Sequence, residues 1–382
     1  MTLPAHVNVP DISGLRFNVQ YLILGTSNEA RNIAEKICNE QTVEFPESAL
    51  PAGDIADQVK GRIETFKKAG DGQYQTEISY AIEIAGHDLL QLLNVVLGLT
   101  SLLNGVTVMA LDFPEQLIQR FKGPRFGREG LRALIGIEER PLLCTALKPM
   151  GLSSKHLADI AYQCAVNGLD IIKDDHGITD LQFSPYEERV ISCSQAVARA
   201  NQITGLNCIY VANVTAPADV ALERARFAKQ AGAGGVMISA ALTGFDVLRQ
   251  LADSDDIGLP VFNHPSFSGG FLAGKGKTGF SHYVLFGQIA RLAGVDVSII
   301  INYGGRFPVT KEDSYAAVRG CRDEMGSLKP AFPCIGGGMK LPLIPELCAE
   351  YGNDSILLVG GGLHTLSDDL SQNVRDFLAA VQ

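Results

Sequence analysis

Short apolar runs alternate with segments of helical spacing from residue 140 to the end of the chain. The pattern predicts eight strands: Leu142–Leu147, Leu169–Lys173, Cys208–Val214, Gly235–Ser239, Pro260–Asn263, Val297–Ile301, Ala331–Ile335 and Ser355–Val359. A helix-compatible segment follows each of them: Lys155–Val166, Glu187–Ile203, Pro217–Ala231, Phe245–Asp253, Tyr283–Leu292, Lys311–Asp323, Ile344–Glu350 and Ser367–Val381. Uninterrupted strand–helix pairs indicate a (β/α)8 TIM barrel. A doubly wound open sheet is the alternative fold, but it rarely continues through so many strictly alternating units.

The first part of the chain has a different, α+β pattern. Three segments alternate like strands and two have helical spacing: Phe17–Gly25, Tyr74–Ala85 and Gly105–Leu111, and then Asn28–Asn39 and Asp88–Leu103. This order predicts a small ferredoxin-like sheet with helices on one side. A turn-rich connector, Phe121–Gly127, follows it. We place the boundary a little beyond the connector, which gives an N-terminal domain of residues 1–136 and a barrel domain of residues 137–382 that carries the active site.

The residues that follow the predicted barrel strands are the candidates for chemistry, because TIM-barrel enzymes place their active sites at the C-terminal ends of the strands. Polar and glycine residues collect there: Lys148, Lys173–His176, Asn213, His264, Arg306, Gly336–Gly338 and Gly360–Gly362. Glycines after strands seven and eight let backbone N–H groups approach a phosphate. A phosphorylated substrate is therefore expected at these two loops, although a glycine triplet alone also occurs in plain turns.

The segment Gly168–Gly177 reads as a buried strand that ends in Lys173, Asp174, Asp175 and His176. Alternate side chains of a strand share a face, so Lys173 and Asp175 point one way and Asp174 and His176 the other. The strand must turn at Gly177, which lets His176 swing back toward Asp175. The alternative interpretation of these four residues is a solvated loop in which acids offset a lysine.

Composition narrows the function classes. A net charge of −10 disfavours nucleic-acid and anionic-membrane surfaces but still permits a small anionic substrate. The start of the chain lacks the apolar core of a signal peptide, and the apolar-rich stretch Leu89–Leu103 is too short and too polar to span a bilayer. The eight cysteines show no CxxC spacing, which indicates buried free thiols. These features predict a cytoplasmic protein.

With these motifs in view, the chain resembles the large subunit of ribulose-bisphosphate carboxylase/oxygenase (Rubisco), and specifically the form IV Rubisco-like proteins. Gly168–His176 is similar to the family motif Gly-x-Asp-x-x-Lys-x-Asp-Glu, whose lysine takes up CO2 as a carbamate and binds Mg²⁺ with the two acids. Leu147–Pro149 resembles the segment of the proton-handling lysine of strand one, and Asn263–His264 resembles that of the strand-five histidine. The stretches Glu40–Thr42 and Phe121–Gly127 resemble N-terminal family segments, which in relatives complete the partner subunit's site.

The resemblance implies a role for each matching position. It implies catalysis by Lys148, Lys173 and His264, metal binding by Lys173, Asp175 and His176, and substrate or phosphate binding by Gly337, Gly338, Gly360, Gly361, Glu40 and Thr42. Asn213 and Arg306 are further candidates for substrate binding, because they lie at or after the ends of predicted strands. The cofactors it implies are Mg²⁺ and CO2, the latter as a carbamate of the lysine. The implied assembly is a homodimer or a higher homo-oligomer.

Several departures from the carboxylase argue against CO2 fixation. His176 stands where the carboxylase has a second metal carboxylate, and a neutral imidazole slightly favours softer ions, so another divalent ion could replace Mg²⁺. Pro265 replaces an arginine that grips the far phosphate, and Met150 replaces the second lysine of the strand-one motif. The segment Gly304–Pro308 has no lysine in register with that of the family's strand-six loop.

The remaining residues suit the formation of an enolate, because a metal and a nearby lysine lower the cost of removing a proton or CO2 next to a carbonyl. Our preferred interpretation is decarboxylation of a 3-oxo sugar-acid 4-phosphate, similar to 3-oxo-isoapionate-4-phosphate decarboxylase. A ketose-phosphate enolase or isomerase of the methionine-salvage type and a carbon–carbon transcarboxylase or hydrolase are alternatives. A non-catalytic barrel that binds a sugar phosphate is the competing class.

Overall fold

The computed structural model describes residues 4–381, and their contacts group into two compact units. The smaller unit comprises residues 4–121, 270–289 and 324–328. The larger unit comprises residues 122–269, 290–323 and 329–381. No helix among the described residues is long and apolar enough to cross a membrane.

The smaller unit is built on a five-stranded sheet. Its strands, in spatial order, are Gly279–Phe280, Val106–Asp112, Arg16–Leu24, Gln73–Ala81 and Arg62–Gly70. A separate parallel pair joins His6–Val7 to Ala52–Gly53. The helices are Ser27–Glu40, Leu89–Leu97 and Glu115–Ile118, with 3-10 turns at Glu47–Ala49 and Leu99–Leu102 and π-helical turns at Ile55–Val59 and Val284–Ile289. The central strand Arg16–Leu24 alternates between buried and half-buried positions, which is the pattern that predicted it.

Two strands of this sheet were not predicted, the short Gly279–Phe280 and the longer Arg62–Gly70. Arg62–Gly70 pairs antiparallel with Gln73–Ala81 and is exposed or half-buried throughout. An edge strand with one solvated face carries polar residues and lacks the strong apolar alternation of a central strand. The Asp71-Gly72 turn, with Gly72 at φ +64°, was the local signal that could have revealed the hairpin.

The larger unit is a closed barrel of eight parallel strands, as the sequence predicted. Its strands are Leu142–Leu147, Ile171–Asp174, Ile209–Asn213, Gly235–Ile238, Val261–Asn263, Val297–Ile301, Phe332–Gly336 and Ile356–Leu358, here called strands one to eight. Its helices are Gly127–Ile135, Ser154–Val166, Tyr186–Thr204, Ala218–Gln230, Ala240–Thr243, Phe245–Asp253, Ala290–Leu292, Lys311–Arg322, Ile344–Tyr351, Gly361–His364 and Leu370–Ala380, with 3-10 turns at Ser268–Gly270 and Leu341–Leu343. Almost every strand residue is buried, because parallel strands are covered on both faces.

Two segments of the chain belong to different units from those that the sequence predicted. Helix Gly127–Ile135 lies before the expected boundary at residues 136 and 137, yet Leu131 and Ile135 pack in the barrel core with Leu142 and Phe332. The single helix expected at Tyr283–Leu292 is instead a π-helical turn in the smaller unit followed by a short helix in the barrel unit. The preceding strand Gly279–Phe280 explains this, since it pairs with Val106–Asp112 and joins the segment to the small sheet.

Candidate active site

The end of strand two brings a lysine and a carboxylate into the mouth of the barrel. Lys173 is 1% exposed, and its Nζ donates a hydrogen bond to the carbonyl oxygen of Asp174 at 3.0 Å. Burial lowers the pKa of Lys173, which increases the fraction of neutral amine. Asp175 Oδ1 lies 2.6 Å from Lys148 Nζ, at the end of strand one. The two predicted catalytic lysines, Lys148 and Lys173, therefore both interact with the Asp175 carboxylate.

Asp175 is held as a carboxylate. Burial alone would raise its pKa, but hydrogen bonds from His176 and Lys148 and the positive charge of Lys173 hold the pKa well below its usual range. His176 Nδ1 lies 3.5 Å from Asp175 Oδ1, so the imidazole has turned back toward Asp175 at the strand end. An ionised carboxylate and an imidazole next to it form a pair of potential metal ligands.

The imidazoles of His176 and His264 stack on each other. Their ring centroids are 4.5 Å apart and their planes differ by 8°. His264 Nδ1 accepts a hydrogen bond from the backbone N–H of Ser266 at 3.2 Å and lies 2.8 Å from the Ser266 hydroxyl, which leaves the proton of the neutral ring on Nε2. Burial, with nearby positive charge, lowers the pKa of His264 to about 2. The ring is therefore neutral and suited to donate a hydrogen bond from Nε2, and its catalytic role stays a prediction.

Asp174 faces away from the other three polar residues of its strand end. It is fully buried and lies 3.2 Å from Arg189 Nε, and it accepts hydrogen bonds from the Tyr210 hydroxyl at 2.8 Å and the Asn213 N–H at 3.0 Å. All of its partners belong to the barrel framework, as the alternation of the strand predicted. Asp174 therefore holds strands two and three and helix Tyr186–Thr204 together.

Asn213 has a different role from the one expected of it. Its Nδ2 donates to the carbonyl oxygens of Asp175, His176 and Ile178 at 3.0 to 3.3 Å, and its Oδ1 accepts from the Thr215 N–H. The buried amide has no free donor for a substrate, because a buried amide of this kind is saturated by such contacts. Asn213 fixes the loop that carries the metal-ligand candidates.

The two glycine loops follow strands seven and eight, as predicted. Gly337 and Gly338 adopt φ values of +106° and +77°, which are accessible mainly to glycine. A Cβ atom added to Gly360 would lie 3.8 Å from Lys148 Cε, so the strand-eight loop borders this predicted catalytic lysine. A Cβ on Gly305 would lie 2.6 Å from the Gly337 carbonyl oxygen, so the loop before Arg306 packs against the strand-seven loop. Arg306 itself is exposed.

Glu40 and Thr42 belong to the smaller unit, whereas the other predicted site residues belong to the larger unit. Glu40 is the last residue of helix Ser27–Glu40. The Thr42 hydroxyl donates to the Cys38 carbonyl oxygen at 2.6 Å and accepts from the Gly61 N–H at 3.3 Å. Within its own unit, Thr42 is therefore engaged in backbone contacts, and its role in substrate binding stays a prediction.

Known proteins that are similar to this chain identify the family of the barrel. Residues 129–370 match the family model described as ribulose bisphosphate carboxylase large chain, catalytic domain. The chain belongs to this family. Ribulose bisphosphate carboxylase-like protein 1 of Rhodopseudomonas palustris is 34% identical, over 96% of this chain and 97% of the relative. The 5-methylthioribulose-1-phosphate isomerase of Rhodospirillum rubrum is 32% identical, over 96% of each chain. The crystal structure of a Rubisco-like protein from Rhodopseudomonas palustris superposes with a TM-score of 0.86 at 31% identity, covering 96% of this chain and 97% of that one.

Family membership raises the question of whether the site can hold the family's metal. Within residues 4–381, no three His, Cys, Asp or Glu side chains are grouped to hold an ion. Asp175 and His176 supply two ligands, and a carbamate on Lys173 would supply the third, in oxygen. The lowered pKa of Lys173 fits this chemistry, because CO2 reacts with a neutral amine. The residues of the Rubisco-family site thus fit a divalent ion, which would withdraw charge from substrate oxygens.

Two residues that support this Rubisco-family site were missed in the sequence. Ser266, two residues after His264, contacts His264 Nδ1 and orients the ring. This short spacing could have been noticed in the sequence. Met150 was singled out only as a departure, yet its Cε would lie 2.5 Å from a Cβ on Gly177, so it packs on the loop directly after His176. No pattern in the sequence signals that contact, because strands one and two are separated by a whole helix.

Proposed function

We propose that this chain is a Rubisco-like enzyme that forms an enolate on a phosphorylated keto sugar acid, by decarboxylation of a 3-oxo sugar-acid 4-phosphate. The observation that carries the proposal is the group formed by Lys148, Lys173, Asp175, His176 and His264 at the ends of strands one, two and five. In the proposed reaction the bond to the carboxylate carbon breaks and its electron pair moves to the neighbouring carbonyl oxygen. CO2 leaves in this step, and Lys148 then donates a proton to the enolate carbon.

The charge of the site supports a substrate with a carboxylate. Asp174 is offset by Arg189, and Asp175 is offset by Lys148. Because residue 176 is histidine rather than a carboxylate, the site has one negative charge fewer than the family motif provides. The missing negative charge favours a substrate that carries an anionic group next to its reacting carbonyl, because uncompensated charge in a low-dielectric site is costly. A keto acid brings such a group, whereas a simple ketose phosphate does not.

The test is to supply a 3-oxo sugar-acid 4-phosphate, with Mg²⁺ and bicarbonate, in deuterated buffer. CO2 release with one deuterium at the former carboxylate-bearing carbon is the expected result. The Lys148→Arg variant, which keeps the positive charge but is a poor proton donor, should be slower by about 10² to 10⁴-fold. Carbon–carbon hydrolysis without CO2, or tight substrate binding with neither turnover nor metal dependence, would replace this proposal by one of the alternatives.

Isomerisation is the second candidate function. It is supported by the Rhodospirillum rubrum relative, whose name assigns it 5-methylthioribulose 1-phosphate as substrate. The same Lys148 could move a proton between neighbouring carbons of a ketose phosphate. Incubation with 5-methylthioribulose 1-phosphate in deuterated buffer separates the two functions, because isomerisation would yield product and solvent exchange without any CO2.

We predict that the substrate carries one phosphate, bound by Gly338, Gly360 and Gly361. Backbone N–H groups can bind a phosphate at these loops without a cationic side chain. Pro265 offers neither charge nor an N–H group at the far end of the site. A bisphosphate should therefore bind no better than the matching monophosphate in isothermal calorimetry, and Arg306→Ala should weaken both equally. A hundredfold preference for the bisphosphate that disappears in Arg306→Ala would reverse this assignment.

We also predict that the working unit is a homodimer. The support is family membership together with the resemblance of Glu40–Thr42 to a segment that reaches the partner's site in relatives. Sedimentation velocity should show a dimer at concentrations where the enzyme is active, and Glu40→Gln should lower turnover without changing that assembly. A fully active monomer would contradict the prediction.

A further inference from the structure

The loop that carries Arg306 is attached at both of its ends to one short piece of helix. The loop begins after strand six at Asn302 and ends where helix Lys311–Arg322 starts. Glu350 and Tyr351 are the last two residues of helix Ile344–Tyr351. Side chains from both ends of the loop contact this pair, and we call the group formed by Asn302, Tyr303, Lys311, Glu350 and Tyr351 the clamp.

The start of the loop is held by two hydrogen bonds. The Tyr351 hydroxyl donates to Asn302 Oδ1 at 2.7 Å, and both residues are buried. The Tyr303 hydroxyl donates to Glu350 Oε2. A buried amide oxygen that loses its donor is left unsatisfied, so the contact between Tyr351 and Asn302 strongly favours one position of the loop's first residue.

The end of the loop is held by the other oxygen of the same carboxylate. Lys311 Nζ forms an ion pair with Glu350 Oε1, and this hydrogen bond raises the pKa of Lys311. The ammonium group also lies 5.0 Å from the ring centre of Tyr303 and 5.5 Å from that of Tyr315. Glu350 thus bridges Tyr303 and Lys311, which are eight positions apart in sequence.

Between its fixed ends, the loop is exposed and rich in glycine. Residues 304–308 are all exposed, and Gly304 has φ +70°. The loop nevertheless approaches the strand-seven glycines, because a Cβ on Gly305 would lie only 2.6 Å from the Gly337 carbonyl oxygen. Arg306 is the next residue, and the Arg306 guanidinium lies over the Phe307 ring at 5.4 Å.

We infer that the clamp is a positioning device that holds the loop against Gly337 and so keeps Arg306 beside the phosphate-binding glycines. Residues with few buried contacts have low local stability, so an exposed loop of this composition needs fixed ends to keep one position. The clamp supplies them through residues that are remote from the reacting atoms. Only the assignment of Arg306 to a substrate phosphate rests on the proposed function; the position of the loop does not.

The chain offers an unusually clean reporter, because it contains no tryptophan. Phe307→Trp would place a single indole on the loop, at a half-exposed aromatic position next to Arg306. Its quenching by acrylamide and its anisotropy report the mobility of the loop in the full-length protein without substrate or turnover. In this background, Lys311→Met and Tyr351→Phe should each raise the quenching constant about twofold and lower the anisotropy.

Two further variants distinguish positioning from a general loss of structure. Lys311→Arg keeps the charge that faces Glu350 and should restore most of the original quenching. Lys155→Met removes an exposed lysine that is likewise paired with an acid, Asp159, and should leave the reporter unchanged. Circular dichroism should show all four proteins folded, since Lys311 is 46% exposed in its side chain and Tyr351→Phe removes only a hydroxyl.

The inference is overturned if Lys311→Met and Tyr351→Phe are folded and leave the quenching constant and anisotropy unchanged. If Tyr351→Phe does not fold, Lys311→Met decides the question alone. A clamp that behaves as inferred in a protein without the expected decarboxylase activity would refute the proposed function and leave the clamp intact. Inorganic phosphate, added to the reporter protein, then tests Arg306: protection from acrylamide that disappears in Arg306→Ala supports its assignment, and protection that persists removes it.

Discussion

Replacing Lys173 by methionine is expected to abolish metal-dependent turnover, by about 10³-fold or more, while the barrel stays folded. Lys173 is 1% exposed and has one hydrogen bond, to the Asp174 carbonyl oxygen, so its amine is not needed to hold the strands together. Methionine has a similar volume and carries no polar group to desolvate, and such replacements in buried positions are tolerated. What the variant loses is the buried amine to which we assign the CO2 carbamate, close to Asp175.

The measurement has a readout apart from activity. With ¹³C-labelled bicarbonate and Mg²⁺, the unaltered protein should show a carbamate carbon resonance, and Lys173→Met should not. Lys155→Met, which removes a lysine whose side chain is 81% exposed on the outer face of the barrel, should keep both the resonance and the activity. Full activity of Lys173→Met, or of the unaltered protein in buffer freed of metal and CO2, would rule out this role.

The barrel could be predicted because its strands are buried on both faces. Parallel strands under helices read as short, nearly continuous apolar runs, and strands one and six were placed with their observed bounds. Glycines and polar residues at the strand ends identified the mouth of the barrel before any contact was known, because every βα unit delivers its strand end to the same side. The strand Arg62–Gly70 was missed because an exposed edge strand has no such apolar run.

The roles of the individual residues within the site could not be predicted. Asn213 stood at a strand end like the site residues, and only the three carbonyl oxygens around its amide show that it serves the loop. Burial lowers the pKa of His264 to about 2, and the residue type alone gives no sign of that shift. The clamp contacts of Glu350 and Tyr351 join residues that are 39 or more positions apart, and no local pattern encodes them. Side-chain environment is a property of the folded chain, and residue type alone does not fix it.

The second large effect is expected from Arg189, which no sequence motif marked. Arg189 and Asp174 are both 0% exposed in their side chains and lie 3.2 Å apart. Arg189 also donates to the carbonyl oxygens of Ser184 and Thr179, at 2.9 and 2.5 Å. Burial alone would lower the pKa of Arg189, but the charge of Asp174 raises it, so the guanidinium keeps its charge in the folded protein. The two charges are stable in the interior only because each is neutralised and hydrogen bonded.

Replacing Arg189 by methionine should therefore lower the free energy of unfolding by about 3–5 kcal/mol, the cost of leaving one buried charge without its partner. The double variant with Asp174→Asn should recover a substantial part of that loss, because the uncompensated charge is then gone. Arg226→Met is the matched control: its ion pair with Asp256 is 44% and 55% exposed, and its removal should change stability by no more than about 1 kcal/mol. Urea denaturation at neutral pH measures all three. If Arg189→Met lowers the free energy of unfolding no more than Arg226→Met does, the end of strand two is held by packing. The position of Asp175 and His176 then does not depend on the ion pair between Arg189 and Asp174.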